Sequence, residues 1–234
     1  MNIVYLVGAG GNHSDRELRL SLRSLRFVKD IGDVYIVGHK PEWCNNIFHI
    51  PFRDKHDYKD RNIIEKLERY CHQFDENDFI KMSDDFIFLK EYDSRTAPIL
   101  HSGDYKHWIK QPQTNWVQKL VYTLRLYMQA GLDNPINYDS HTPSVINPKM
   151  FLDSLGCLDT SDIDNVTWQT WYGNYVSPEQ STHVRGILKY FYAEQPTYSV
   201  DDTHKYLSYS DLACSVPLLN FIEGIVGGKC KYEI

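Results

Sequence analysis

Cysteine is sparse and unpatterned in this chain of 234 residues. Its five cysteines, Cys44, Cys71, Cys157, Cys214 and Cys230, are odd in number, widely spaced and include no C-x-x-C. That argues against a disulfide framework or a thiolate zinc site and predicts free thiols in a reducing compartment. Long apolar runs are missing too: none approaches the ~20 residues a membrane span needs. The first seven residues are apolar, but they lack the basic start and cleavage signal of a signal peptide. Together these absences predict a soluble, cytoplasmic protein. Positive charge is also short, with Lys+Arg 25 against Asp+Glu 31 and a formal net charge of −6. This argues against broad nonspecific nucleic-acid binding and leaves room for a local basic groove. Repeats and low-complexity linkers are absent, so the length fits one domain, with halves of about residues 1–90 and 91–234.

What is present is an ordinary hydrophobic content of 42% and many aromatics, with 17 Tyr, 10 Phe and 5 Trp. Most of these serve a core, although aromatics also stack on bases and sugars. The organising stretch runs from Asp78 to Leu89, where two apolar strand-like runs flank Asp84-Asp85. Adjacent carboxylates between buried strands repel each other and resist desolvation. A hard divalent cation, Mn²⁺ or Mg²⁺, relieves both problems, and an exposed Asx turn is the competing reading.

Ile3 to Val7 reads as a buried strand running into a Gly-rich turn from Gly8 to Asn12. A strand, a Gly-rich turn and a helix make a place for a nucleotide. The turn carries neither the dinucleotide fingerprint nor a phosphate-loop Gly-Lys-Ser/Thr. Ser14 or Asp15 is expected to cap a helix over Arg16–Val28, with Leu18, Leu22 and Leu25 as its buried stripe. Its arginines read as a solvated basic face from which Arg16 can reach a ligand. Strands follow over Asp33–Gly38 and Ile47–Ile50, then a polar loop over 53–61, a helix over Asn62–Phe74 and the strand that carries the paired acids. This alternation predicts an α/β fold with a mostly parallel central sheet flanked by helices. The acids then lie beyond a strand's C-terminal end. Residues 90–115 read as loop. Helices are expected over Trp116–Ala130, Lys149–Leu155 and Thr167–Tyr175, the last with an aromatic load better explained by core packing. Strands are expected over Ile187–Ala193 and Thr197–Val200, and a last helix over Ser215–Val226.

Several boxes stand in order along the chain. They are Glu17-Leu18-Arg19-Leu20-Ser21-Leu22-Arg23-Ser24-Leu25, Val34-Tyr35-Ile36-Val37 with Pro41-Glu42-Trp43, and Phe79 to Phe88. Ser140-His141-Thr142-Pro143, Tyr172-Gly173-Asn174-Tyr175 and Leu207 to Asp211 follow. In this order they resemble the boxes of Stealth-type sugar transferases. The N-terminal D-x-x-x-x-W-V-x-G box of that family is absent. The resemblance implies a GT-A-like single domain that uses a nucleotide-sugar donor, UDP-sugar favoured.

On that reading Asp85 and Asp84 hold the metal, with His141 as a further metal ligand or as the base on the acceptor. Asp211 is a candidate for metal, base or sugar contact, or a helix cap. Gly8, Gly10, Asn12, Arg16, Arg61, Asn62, Ser83 and Asp84 face the donor. The acceptor hydroxyl belongs to a glycan or to a hydroxylated nucleobase in DNA, for which the loop with Lys106, His107, Trp108 and Lys110 could supply a surface. Sugar-1-phosphate transfer is the alternative chemistry. A nucleotidyltransferase or phosphotransferase, and a catalytically silent nucleotide-sugar-binding module, are the alternatives of other classes.

Overall fold

The computed structural model describes residues 1–9, 12–75, 77–159, 161–176, 181–192 and 197–234, and of Asn12 the backbone alone. In chain order the elements are β1 (Asn2–Val7), α1 (Arg16–Ser24), β2 (Val28–Lys29), β3 (Val34–Gly38), β4 (Phe48–Pro51), α2 (Lys59–Cys71) and β5 (Phe79–Met82). Next come β6 (Phe86–Phe88), β7 (Tyr92–Asp93), β8 (Ile99–His101), α3 (Tyr105–Trp108), α4 (Asn115–Gln129), β9 (Ser144–Ile146), α5 (Pro148–Gly156) and α6 (Trp168–Val176). The chain continues with β10 (Ser181–His183), β11 (Ile187–Tyr190), β12 (Tyr206–Tyr209) and α7 (Val216–Val226).

An unbroken apolar run suits a strand covered on both faces. In β1, Ile3, Tyr5 and Val7 enter one core, and Val4 and Leu6 enter the core on the opposite face. That is the period of two imposed by the pleat. The central sheet has the order β4-β3-β1-β5-β9, parallel throughout except for β9, which runs antiparallel to β5. Leu18 and Leu22 of α1 fill one face, while Ile64, Leu67 and Tyr70 of α2 fill the other with Phe151, Trp168 and Tyr172. A second sheet, β11-β12-β6, carries α7 on Leu218, Leu219 and Ile222. The expected α/β architecture, a mostly parallel sheet flanked by helices with the acids at a strand end, is the one observed.

The order matters for function. From β1 the chain builds β3 and β4 on one side and then returns to place β5 on the other. That reversal opens a crevice at the C-terminal ends of β1 and β5, where open α/β sheets bind ligands. Gly8 follows β1 there and Ser83-Asp84-Asp85 follow β5. The acid pair is also the joint at which the chain leaves the central sheet for β6 in the second one.

Some boundaries differ from expectation. Neither Ser14 nor Asp15 caps α1 through its side chain: Asp15 stands at the N-cap in left-handed backbone with no side-chain cap bond. The helix ends at Ser24 and tightens into a 3₁₀ turn over Leu25–Phe27, because Val28 is drawn into β2 beside Tyr92. α2 begins at Lys59, so Asp60 enters its first turn, where a carboxylate suits the helix dipole. Residues 90–115 hold two short strands and α3 rather than plain loop. Residues 197–200 form no strand. The Tyr190 hydroxyl anchors them instead, donating to the Ser199 carbonyl and accepting from its N–H, both at 3.3 Å. All five cysteines are free, Cys44 and Cys71 buried and Cys157 exposed. Among the described residues no helix is long and apolar enough to cross a membrane.

Candidate active site

The crevice between β1 and β5 is a cleft of about 410 Å³. Gly8 and Ala9 form one lip, and Ser83, Asp84 and Asp85 the other. Asn62, Ile63 and Lys66 of α2, Glu17 of α1 and the exposed Asp211 complete the wall. A side chain at Gly8 would crowd Asp54, whose Oδ2 lies 3.3 Å from where a Cβ would stand, so backbone alone faces the cleft there.

Charge in this cleft is unbalanced. Five carboxylates line it, those of Glu17, Asp54, Asp84, Asp85 and Asp211, against the ammonium groups of Lys59 and Lys66. Both lysines are already engaged, Lys66 with Asp54 at 2.6 Å and Lys59 with Asp211 at 2.7 Å. Glu17, Asp84 and Asp85 therefore face one another with no lysine of the cleft paired to them. Burial, reinforced by the Asp84 charge, pushes the Asp85 carboxyl up to about 7. Burial raises Asp84 as well, and burial followed by Asp84 raises Glu17. The Tyr209 hydroxyl is buried behind the acids without a hydrogen-bond partner, and Ser208 Oγ donates to Asp85 Oδ2 at 3.3 Å. Among the described residues no three His, Cys, Asp or Glu side chains are grouped to cage an ion by themselves. Two adjacent carboxylates without a closed cage are the donor set that suits Mg²⁺ or Mn²⁺ shared with substrate phosphates.

Asp85 faces a second cavity too. This one, about 230 Å³, shares Ile63, Ser83 and Asp85 with the cleft and is otherwise lined by Asp60, Lys81, Asp139, His141 and aromatic walls. Lys81 of β5 is buried, and its ammonium donates to Ser83 Oγ at 2.7 Å and lies 5.1 Å from the centre of the Phe86 ring. Burial holds its pKa below the ordinary value against the pull of Asp85 and Asp139. His141 adopts left-handed backbone at φ 50°, and burial holds its ring below the usual imidazole range. Asp139 is set by a chain of bonds from α6: Asn174 clasps both the N–H and the carbonyl of Ile136, and Thr170 donates to Asn137, which accepts from the Asp139 N–H. Within the Tyr-Gly-Asn-Tyr box it is Asn174 that holds Ile136, three residues before Asp139, while Trp171 packs in the core as expected and Trp168 both packs there and lines the second cavity.

The structure brings Asp84, Asp85, Ser83, Gly8, Asn62 and Asp211 together around the cleft. His141 joins Asp85 in the second cavity and does not line the cleft. Arg16 lines neither space; its guanidinium binds Glu223 at 2.5 Å and Asn220 at 2.6 Å. Arg61 lines neither space and stands 3.6 Å from Glu65. Gly10 lies outside the described residues, as does the side chain of Asn12. Asp211 caps no helix; Ser215 caps α7.

Asn62 has a full set of local bonds. It accepts from the N–H groups of Lys55 and His56 and donates to the His56 carbonyl, tying down the polar loop. Asn62→Ala is expected to cost about 1–2 kcal/mol and lower the melting temperature by roughly 2–8 °C. An unchanged melting curve would show that the loop needs no such anchor.

Glu17, Lys59, Lys66, Lys81 and Asp139 were not foreseen. Lys66 stands four residues after Asn62, on the same helical face, so the spacing alone would have found it. Lys81 sits in an apolar strand run, where one lysine is itself a signal of a buried partner.

No family model and no curated protein matches the sequence. The fold is similar to that of the galactosyltransferase LgtC solved with donor and acceptor sugar analogues, with a TM-score of 0.53 and 11% identity over 96% of this chain and 95% of that one. An active-site mutant of LgtC gives the same values. At that identity the likeness is one of fold, and the fold is of the GT-A glycosyltransferase type.

Proposed function

We propose that this chain is a metal-dependent glycosyltransferase that moves a sugar from a nucleoside diphosphate sugar, UDP-sugar favoured, to an acceptor hydroxyl. The observation that carries the reading is the unpaired acid set Glu17, Asp84 and Asp85 at the switch-point crevice. Asp85 and Asp84 are the residues to hold Mn²⁺ or Mg²⁺. A divalent ion bound there supplies Lewis-acid stabilisation of the diphosphate leaving group.

The protein's own groups divide the remaining work. Gly8 lets the nucleoside approach the backbone. Lys66 and Lys59 can turn from Asp54 and Asp211 towards phosphate oxygens. In the transfer, the anomeric carbon exchanges its bond to the diphosphate oxygen for one to the acceptor oxygen. Nucleoside diphosphate leaves, and the acceptor proton passes to His141, which burial keeps neutral and therefore able to accept it.

A thermal-shift series with UDP-sugars and GDP-sugars, with and without Mn²⁺, tests the donor site on wild type and Asp85→Asn. One donor is expected to raise the wild-type melting temperature only with metal, and to leave the variant unmoved. Equal behaviour of both proteins with every donor would leave a binding module or a plain strand-end turn. Product analysis then separates the chemistries. Sugar transfer releases nucleoside diphosphate, whereas sugar-1-phosphate transfer of the Stealth type releases nucleoside monophosphate.

A further inference from the structure

We propose that the cavity on the far side of Asp85, together with the indole corner of Trp108 and Trp116, is a subsite for an uncharged oligosaccharide acceptor of at least two rings. The inference rests on the donor reading above and names the acceptor class for the same site. The outermost sugar enters the cavity and presents its hydroxyl to Asp85 and His141, and the next ring lies on the indoles.

Three observations carry it. The cavity, at about 230 Å³, is smaller than the usual drug-sized pocket, so it takes a single ring. Its walls are Phe86, Trp116 and Trp168, and its polar groups keep spare bonding capacity of both kinds. Lys81 uses one of its ammonium hydrogens on Ser83, while Asp139 Oδ2 accepts from Trp116 Nε1 at 3.0 Å and Oδ1 is left to accept. Aromatic walls with donors and acceptors side by side match a polyhydroxylated ring.

The indoles are fixed platforms. Trp116 is pinned to Asp139, and Trp108 donates to the Ser102 carbonyl at 3.0 Å, so both N–H groups point inward. Both side chains are half-buried, and their rings meet at 5.1 Å and 79°, forming a corner. The ring of His141 lies 6.4 Å from that of Trp116, which joins the corner to the cavity. Rigid aromatic faces bind at low entropic cost, and the apolar face of a pyranose suits them.

Charge weighs against a DNA acceptor. In the cavity the carboxylates of Asp60, Asp85 and Asp139 stand with one lysine, Lys81, and the nearby Lys119 and Lys189 already face Asp60 and the Asp139–Asp85 pair. These cations are matched by acids, which leaves none over for a phosphate backbone.

The test uses the full chain with UDP and Mg²⁺. Probes are methyl glucoside and methyl galactoside as single rings, a panel of defined di- and trisaccharides with glucose or galactose at the non-reducing end, and a single-stranded oligonucleotide carrying 5-hydroxymethyluracil. Dissociation constants are read by saturation-transfer NMR. At least one disaccharide is expected to bind ten-fold or more tighter than the matching single ring. Trp108→Ala is expected to bring that ratio to within two-fold while the single-ring constant holds, and Trp108→Phe to keep most of it. Saccharides that do not bind, a wild type indifferent to ring number, or oligonucleotide binding in their place overturns the proposal. The UDP-induced thermal shift in the same samples separates the two failures: it persists if only the acceptor subsite is wrong and disappears if the donor reading is wrong.

Discussion

Asp85→Asn is expected to make the chain more stable and far less active. In chelator at pH 8 the wild-type carboxylate is ionised, half-buried and next to Asp84. Its ordinary value of 3.8 is raised to about 7 in the fold. The sign follows directly. A carboxyl raised on folding binds its proton more tightly in the folded state, so ionisation disfavours folding. The penalty is absent below the unfolded value, grows as pH climbs to about 7 and stays constant above. Taken at ~1.36 kcal/mol per unit, it amounts to as much as about 4 kcal/mol at pH 8. Asparagine keeps the shape and an oxygen for the Ser208 hydroxyl without the charge. In chelator the wild-type melting temperature should therefore fall between pH 5 and pH 8 more steeply than that of the variant. On the proposed reading, in which the Asp85 carboxylate holds the ion, Mn²⁺ with the right nucleotide should reverse the ranking. Turnover should drop by about 10²–10³-fold or more, the scale on which one electrostatic stabiliser of a leaving group counts. A variant that melts below wild type at pH 8 in chelator would show that the acid pair is satisfied without a cation.

This opposition of stability and activity explains which parts of the site the sequence could announce. Asp84-Asp85 stands out because nothing about packing asks for two acids between Met82 and Phe86, and a local rule broken inside a strand pair marks function. The strand periodicity fixes β1, β3 and β5 for the same reason in reverse, since apolar runs such as Ile3–Val7 have one sensible use. What could not be read is what the other charges meet. The arginines of α1 look like a solvated face, yet Arg23 meets Glu233 at 2.8 Å across 210 positions of chain. Arg16 seemed free to reach a ligand and is held by Glu223 instead. His141 meets Asp85 in the fold, but no spacing reports that it does so in the second cavity rather than in the cleft that Asp84 lines. Thr197–Val200 has the character of a strand, but the Ser199 N–H and carbonyl bond to the Tyr190 hydroxyl, a side-chain anchor that strand propensity does not register.

The largest purely structural effect is expected at Glu233. Its side chain is 1% exposed, and Arg23 grips it with a fork, Nε to Oε1 at 2.8 Å and Nη2 to Oε2 at 2.9 Å. The Cys230 N–H adds a third bond at 3.0 Å and Arg19 a fourth at 3.3 Å, while the Arg19 guanidinium lies 3.9 Å from the centre of the Trp43 ring. These bonds join residues 230–234 to α1 and to the segment after β3, where Ile234 N donates to the Trp43 carbonyl. Although burial works the other way, the Arg23 fork and the Cys230 N–H pull the Glu233 carboxyl down to about 2 from an ordinary 4.5. The lowered value means the folded state prefers the ionised form. Stability from this group is complete above pH 4.5 and is lost as pH falls towards 2. The shift corresponds to about 3 kcal/mol, and breaking a buried pair from one side costs on the same scale. Glu233→Gln should therefore lower the urea midpoint strongly at pH 7 and flatten the acid limb between pH 4.5 and pH 2. Replacing both partners, Arg23→Met with Glu233→Met, should recover much of the loss, because two matched apolar side chains remove the desolvation cost along with the attraction. Equal urea midpoints for Glu233→Gln and wild type at pH 7 would mean that the clasp is bridged by water and holds nothing, and a double variant as unstable as the single one would place the energy in the Cys230 and Arg19 bonds instead.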